Sequence, residues 1–462
     1  MTEQTQEQVR GDRLGDDYVL DPEIVAAVVE SSQVADRVAV LSLIEDLHVA
    51  DIADLLEQID SDDRRAFIDL VWTDIDAEVL PELEEGVRDD VLRLLQPAQV
   101  AEAARSLETD DVVYLVEDLD EADQREVLDA LEPAERRVIE ESLTYPEDSA
   151  GRLMQRELVK APPFWTVGQM IDYMRASADL PQTFYDVIIV DASAKPVGTV
   201  PLSSIMGARR PVVLESLMED EFRTIGVTEP QADVAYAFNQ YHLVSAPVTD
   251  ADGRLIGVIT IDDAMEVLEE EADEDIKRLA GVGKEELSDQ VWAITRRRFP
   301  WLAVNLVTSI LASLVIGLFD DEIRQLVALA VLMPIVASMG GNGGTQSLTV
   351  AVRAIATRDL TPTNAWRVVV RETLVGLGNG LVFALVMGVI AWLWFEEPML
   401  GVVIGMAMVI NMLAAGLAGI LIPIGLDRVG ADPALASGAF VTTVTDVVGF
   451  FAFLGLAAAI LL

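Results

Sequence analysis

One carboxylate, Asp446, stands near the middle of the apolar stretch Ala431–Leu462. An aspartate at the centre of a membrane helix costs about 2.5–3.5 kcal/mol on insertion scales, so it faces either a hydrogen-bonding neighbour helix or a water-filled path. On a helix, Thr443, Thr442, Ala439 and Gly438 precede it along one face and Gly449 follows one turn on. That narrow, lightly polar face suits close helix packing or a pore wall where hydroxyls and carbonyls meet a hydrated cation. A second polar set follows the short apolar run Leu326–Met339, which contains Pro334 and leads into GGNGGTQ at Gly340–Gln346. Glycines this dense are expected to break or thin a helix, and freed backbone groups at membrane depth are tolerated only against protein or a water-filled cavity. Pro334, Gly341, Asn342, Gly344 and Gln346 are therefore expected to line the same path as Gly438 and Thr442, and Asn411, a polar group within another apolar stretch, is expected to line it as well. A third set is the acid-dense helix expected over Ile261–Leu279, with Asp263, Glu266, Glu271, Glu274 and Asp275 among its carboxylates. Like charges this close repel, which a divalent cation or high salt relieves; a solvated face is the plainer alternative.

These residues need a membrane scaffold and a soluble one, and the composition supplies both. From Val291 onward there are 9 Arg and no Lys against 10 Asp and Glu, leaving 23 basic and 68 acidic residues before it, a net of −45 out of −46. Such a field excludes nucleic acid and attracts cations, although 28 Arg beside four Lys also fits a solubility adaptation to a salt-rich cytoplasm. No cysteine is present, so no disulfide framework or thiolate metal site is available. Residues 1–20 are polar and acidic and are expected to be disordered and cytosolic. Five transmembrane helices are expected, near Phe299–Leu318, Ile323–Met339 with its continuation, Thr373–Trp394, Met399–Leu426 and Pro433–Leu462. Arg296–Arg298, Arg353, Arg358, Arg367, Arg371 and Arg428 fall on one side, and Asp320, Asp321, Glu322, Glu396 and Glu397 on the other. The basic side is cytosolic, which leaves the C-terminus extracellular in the cell membrane.

The soluble part has two textures. Residues 21–145 carry short Leu/Val stripes preceded by acids, the pattern of an α-helical repeat domain, with Asp110 and Asp111 read as helix caps rather than ligands. Residues 146–211 and 212–262 each read as helix, strand, turn, strand, helix. This repeat resembles a tandem pair of CBS motifs. GVITIDD at Gly257–Asp263 is similar to the motif in which a Thr and an Asp three apart address a nucleotide ribose, with Thr260 and Asp263 in those places; a plain helix cap is the alternative. In the first repeat Pro201 and Ser204 stand there instead. Residues 263–298 form the connecting region and 299–462 the membrane domain.

The membrane part resembles the MgtE family of magnesium channels in Pro334 with GGNGGTQ, in VRA at Val352–Ala354, and in DPA, SG, TT and D from Asp432 to Asp446. The soluble part agrees, with YPEDSAG at Tyr145–Gly151, the CBS pair and EDI..L at Glu274–Leu279. The resemblance implies a homodimer in the lipid membrane whose pore, lined by the second and fifth spans, carries Mg²⁺ past the paired Asp446 carboxylates. Asp432 would form a second ion position at the cytosolic mouth. It also implies that the connecting helix is a plug, shut when Mg²⁺ binds Asp263, Glu266, Glu271, Glu274 and Asp275, and that ATP or another adenine nucleotide binds the CBS pair. The chain departs from the family pattern at Ala439, where Pro is common, at His242, where an acid can occur, and at Tyr114, where a further acid can serve. Two other classes fit the residues: a secondary transporter of Mg²⁺, Mn²⁺ or Co²⁺ coupled to protons or sodium, and a membrane-anchored nucleotide sensor. No nucleophile and base gather around His48 or His242, so no enzyme is expected.

Overall fold

The computed structural model describes residues 20–462 apart from 118, 120, 178–179, 182, 220–221 and 284–290. The disordered start expected over 1–20 therefore lies outside the described residues but for its last position, and so does part of the connecting region. The chain forms two compact units, one up to Glu269 and one from Glu270.

The first unit begins with short helices: α1 (Pro22–Gln33), α2 (Arg37–Ile44), α3 (Val49–Gln58), α4 (Ser61–Val71), α5 (Glu85–Leu94), α6 (Pro97–Ala104), α7 (Thr109–Glu117), α8 (Glu121–Ala130) and α9 (Pro133–Ser142). Their starts are set by side chains: Asp21, Asp36 and Asp60 accept from first-turn N–H groups, and Pro opens α1, α6 and α9, where its missing donor costs nothing. The apolar stripes meet in one core that includes Leu55, Phe67, Val91 and Val113.

An α/β region follows: α10 (Ala150–Leu153), β1 (Lys160–Ala161), α11 (Val167–Ala176), β2 (Asp186–Val190), β3 (Pro196–Pro201), α12 (Leu202–Gly207), β4 (Ile225–Gly226), α13 (Gln231–Tyr241), β5 (Ser245–Thr249) and β6 (Leu255–Thr260). The repeat seen in the sequence recurs in the backbone. Each sheet has a short strand parallel to a central one, which pairs antiparallel with the third, in the orders β1-β2-β3 and β4-β5-β6. Both hairpins shift register at the same place, Ile189/Val190 and Val248/Thr249. Both turn on an aspartate, Asp191 or Asp250, whose Oδ1 accepts from the N–H groups two and four residues on. Ala150 and Met154 pack into the core of the second sheet. Helix α14 (Ile261–Leu279) matches the span expected for the acidic helix.

In the second unit come α15 (Val291–Gly317), α16 (Asp320–Gln325), α17 (Ala328–Ala356), α18 (Ala365–Phe395), α19 (Pro398–Arg428) and α20 (Pro433–Ile460). Among the described residues four helices are long and apolar enough to cross a membrane: α15, α18, α19 and the Gly438–Ile460 part of α20. The fifth expected span, α17, has 29 residues but is diluted by its glycines and Asn342. The expected break in α17 does not occur. Gly340–Gln346 is helical throughout, because away from water each backbone N–H finds its best acceptor within the helix, and packing of neighbouring helices onto the glycines offsets their low propensity. Helix α19 is central, in contact with α17, α18 and α20. A Cβ at Gly416 would stand 2.7 Å from the Glu372 carbonyl oxygen, and one at Gly419 2.6 Å from that of Gly344, so these approaches require glycine.

Candidate cation path and acidic clusters

Helix α17 has two unlike faces. Gly340, Gly344, Ser347, Leu348 and Ala351 are buried, whereas Pro334, Ser338, Asn342, Thr345, Gln346 and Thr349 are exposed. Two exposed hydroxyls donate to their own helix, Thr345 to the Gly341 carbonyl and Thr349 to the Thr345 carbonyl, both at 3.0 Å. Gly341 has open space beyond it, while a Cβ at Gly344 would stand 2.6 Å from Val441 of α20. The glycines thus divide the expected lining set: Gly344 is a packing position and Gly341 lies open.

Asp446 projects from α20 half-buried, and among the described residues no hydrogen bond or ion pair engages its carboxylate. Thr442, Thr443 and Thr445 donate to carbonyls of their own helix at 2.9, 2.6 and 2.9 Å, leaving their oxygen lone pairs as acceptors. Within this chain, among the described residues, Asp446 thus makes no hydrogen bond to a neighbouring helix. Asn411 does not share the open face; it is fully buried and donates from Nδ2 to the Val336 carbonyl of α17 at 2.8 Å.

At the other end of α20, Asp432 caps the helix, its Oδ1 accepting from the Ala434 N–H at 2.7 Å. Its Oδ2 lies 2.9 Å from Arg278 of α14, which also pairs with Glu274. Burial, then the Asp432 carboxylate, push the Asp275 carboxyl above its ordinary range, against the pull of Arg278 and Arg353. Leu279 packs beside Leu348, Val352, Ala434 and Val441, so the end of α14 covers the ends of α17 and α20. Glu274, Asp275 and Asp432 are brought together here. Glu271 is half-buried further back along α14.

A second carboxylate group forms within the first unit. Asp263 opens α14, and its Oδ2 accepts from the Thr260 hydroxyl at 2.6 Å and the Thr260 N–H at 3.3 Å. Near it stand Glu108, Asp110 and Asp111 at the start of α7, with Glu266 in reach of Asp111. Burial first, then the neighbouring acids, push Glu108 and Asp111 up to about 7 and Asp110 well above the carboxylate range. Asp263 is pushed up to about 6 by burial, although its bonds to Thr260 pull the other way. Glu157 accepts from the Thr109 hydroxyl at 2.8 Å and the Arg156 N–H at 2.9 Å, and Gln155 donates to Glu108 at 2.7 Å. Among the described residues no three acid or imidazole side chains converge on a single point as a preformed metal centre.

Residues 333–456 match the family model of a divalent cation transporter, 47–148 that of the MgtE intracellular N domain, and 214–270 that of the CBS domain. The magnesium transporter MgtE of Thermus thermophilus is 30% identical over 448 residues, covering 95% of this chain and 98% of the relative. That of Enterococcus faecalis is 34% identical over 319 residues, 69% of this chain and 70% of the relative. The chain belongs to the MgtE family. Among solved structures, the cytosolic domain of the Mg²⁺ channel MgtE in complex with ATP is 26% identical and covers 53% of this chain and 99% of that one, with a TM-score of 0.49.

Membership of the MgtE family, together with the apolar helices, makes this a multi-pass membrane protein of the magnesium-transporter class. Two features of this MgtE chain escaped the sequence reading. Asp110 and Asp111 do lie in the first turn of a helix, as caps would, yet they also face Asp263 across the fold, a proximity no local pattern encodes. Glu372 is buried and accepts from the Ser347 hydroxyl at 3.0 Å and from Arg371. With the span expected from Thr373, Glu372 falls just outside it beside Arg371; the signal for burial is Ser347 at helical spacing from Gly340 and Gly344.

Proposed function

We propose that this chain conducts Mg²⁺ into the cell through a path lined by α17 and α20 of two copies, and that cytosolic Mg²⁺ shuts it. The observation that carries the reading is Asp446, a mid-span carboxylate with no partner among the described residues, on a helix packed beside the exposed polar face of α17. Lipid cannot satisfy Asn342, Gln346 and the hydroxyls of that face, so water and a second copy are its natural surroundings. Mg²⁺ dehydrates reluctantly, and two Asp446 carboxylates would hold the hydrated ion by charge and by accepting hydrogen bonds from its waters. The threonines, with their hydroxyl hydrogens turned to the helix, present lone pairs to those same waters. At the cytosolic end, Glu274, Asp275 and Asp432 would share Mg²⁺ and hold Leu279 over the helix ends. The second acid group, around Asp263, would bind cations in exchange for protons: burial raises its carboxyls to about 6 to 7, and a cation arriving there would displace those protons and offset the charge left behind. The CBS pair, through Thr260 and Asp263, would take an adenine nucleotide.

The test is Mg²⁺ flux into proteoliposomes with no proton or sodium gradient, for the parent and for Asp446→Ala. Flux in the parent, its loss in the variant, and inhibition by Mg²⁺ on the cytosolic face support the reading. Flux that needs a counter-ion gradient assigns a coupled carrier instead, and an unimpaired Asp446→Ala overturns the path.

A further inference from the structure

We propose that Asn411 is a positioning residue whose flat carboxamide sets the separation of α17 and α20, and with it the width of the cation path. This rests on the reading that the path runs along those two helices. Asn411 is fully buried on α19, and its amide lies between two glycines. A Cβ at Gly340 of α17 would stand 2.1 Å from its Nδ2, and one at Gly449 of α20 would stand 2.7 Å from the same atom. The amide is thus the spacer between the two backbones, fixed in rotation by its bond to the Val336 carbonyl. Gly449 lies one turn from Asp446, and Gly340 lies two residues before Asn342 on the opposite, buried face of α17, so the spacer sits behind the open face at the depth of the groups that would meet the ion.

The orphaned atom sharpens the point. Oδ1 of Asn411 is buried without a hydrogen-bond partner among the described residues. Leucine has a similar size; it would give up the bond to the Val336 carbonyl but would also bury no orphaned acceptor, so the two effects oppose each other and stability alone does not decide for asparagine. What leucine lacks is thinness. A planar amide slides between two glycine Cα atoms, whereas a branched tetrahedral carbon needs more room and pushes the helices apart. Alanine or serine would let them close.

Conduction tests this in the full-length protein reconstituted in bilayers. Asn411→Leu is expected to assemble as the parent does and to lose discrimination between Mg²⁺ and the larger Ca²⁺ by tenfold or so, since a wider path admits the larger ion more readily. Gly449→Ala is expected to lose most Mg²⁺ flux, and adding Asn411→Ser, which makes room for the new methyl, is expected to restore at least part of it. A merely structural Asn411 would change yield or thermal midpoint with the Mg²⁺/Ca²⁺ ratio unmoved and Gly449→Ala unrescued; that pair of results overturns the proposal. Should Asn411→Leu fail to assemble, the rescue alone decides. Asp446→Ala is run alongside: if it conducts normally the path itself is misplaced, whereas if it is silent and the rescue fails, only the spacer role falls.

Discussion

The two units handle carboxylates in opposite ways. In the first, Glu108, Asp110, Asp111 and Asp263 are gathered in one place, and their carboxyls rise first because they are buried and then, for Glu108, Asp110 and Asp111, because Asp263 and their other acidic neighbours stand close. In the second, Asp446 stands alone on its span, flanked by threonines whose hydrogens are already committed to the helix. A crowd of acids is a spring that a bound cation relaxes; a lone acid with an open flank is a place an ion can visit and leave. The sharpest way to break this contrast is Asp446→Asn, which keeps shape and removes charge. With two copies, two charge-assisted contacts to the ion's waters are lost at about 1.5–3 kcal/mol each, so Mg²⁺ flux should fall about a hundredfold or more. The thermal midpoint should hold or rise slightly, because a half-buried charge has been removed. A large loss of stability would make Asp446 a structural residue after all.

Glu274→Gln with Asp275→Asn tests whether the acids at the end of α14 act as the crowded kind. If closure depends on Mg²⁺ shared among Glu274, Asp275 and Asp432, the double variant should need roughly tenfold more cytosolic Mg²⁺ to shut, the equivalent of about 1.4 kcal/mol of lost coupling. Inhibition curves recorded while internal Mg²⁺ is stepped decide this. Superimposable curves would make this acidity a matter of solvation only.

What could be read from the sequence follows from range. Asp446 was legible because one acid in an apolar run needs no partner to be conspicuous, and the CBS hairpins were legible because Asp191 and Asp250 close short apolar strands that are buried through their middles. The glycine run was misjudged because propensities measured in water count glycine as a helix breaker, while the membrane removes the competing solvent. Once it is taken as helical, Gly340, Gly344 and Ser347 fall on one face and Asn342, Thr345, Gln346 and Thr349 on another, which is the division the structure has. The meeting of Asp110 with Asp263 links residues far apart in the chain, and nothing local announces it.

The first unit makes a pH prediction whose sign differs from that of an ordinary ion pair. Glu108, Asp111 and Asp263 have folded values near 6 to 7 against ordinary values of 3.8 to 4.5. Below about pH 4 both folded and unfolded chains hold these protons and little is at stake. As pH rises from about 4 to 7 the unfolded chain releases them more readily, so the folded unit loses stability, and the loss is complete above about pH 7. Asp263→Asn should therefore raise the midpoint of the first unit's thermal transition at about pH 8 by a few degrees, on a scale of about 2–4 °C per kcal/mol. The gain should vanish near pH 4, and Mg²⁺ should stabilise the parent more than the variant. A variant that is destabilised at pH 8 would mean that the bonds to Thr260 outweigh the repulsion.

The smallest expected effect is at Arg278, where the second unit borrows the device of the first. Its guanidinium lies between Glu274 and Asp432, a cation supplied by the protein where the proposed function places Mg²⁺. The pair is about one-third exposed on each side, so its net worth is about 0.2–1 kcal/mol, and replacing it should move the closure midpoint by only about 1.4- to 5-fold. The direction needs two steps. Without Mg²⁺, Arg278→Gln removes a tie between α14 and α20, which raises the open fraction. With Mg²⁺, it removes a competitor and leaves Glu274, Asp275 and Asp432 less neutralised, so they bind the divalent ion more tightly. On the midpoint the two oppose each other, and the tie is the weaker because it is part-exposed: the variant should be more open without Mg²⁺ yet reach half-closure at a lower concentration, whereas Arg278→Lys should stay near the parent. A shift to higher concentration would show that Arg278 matters to closure as a tie rather than as a competing cation.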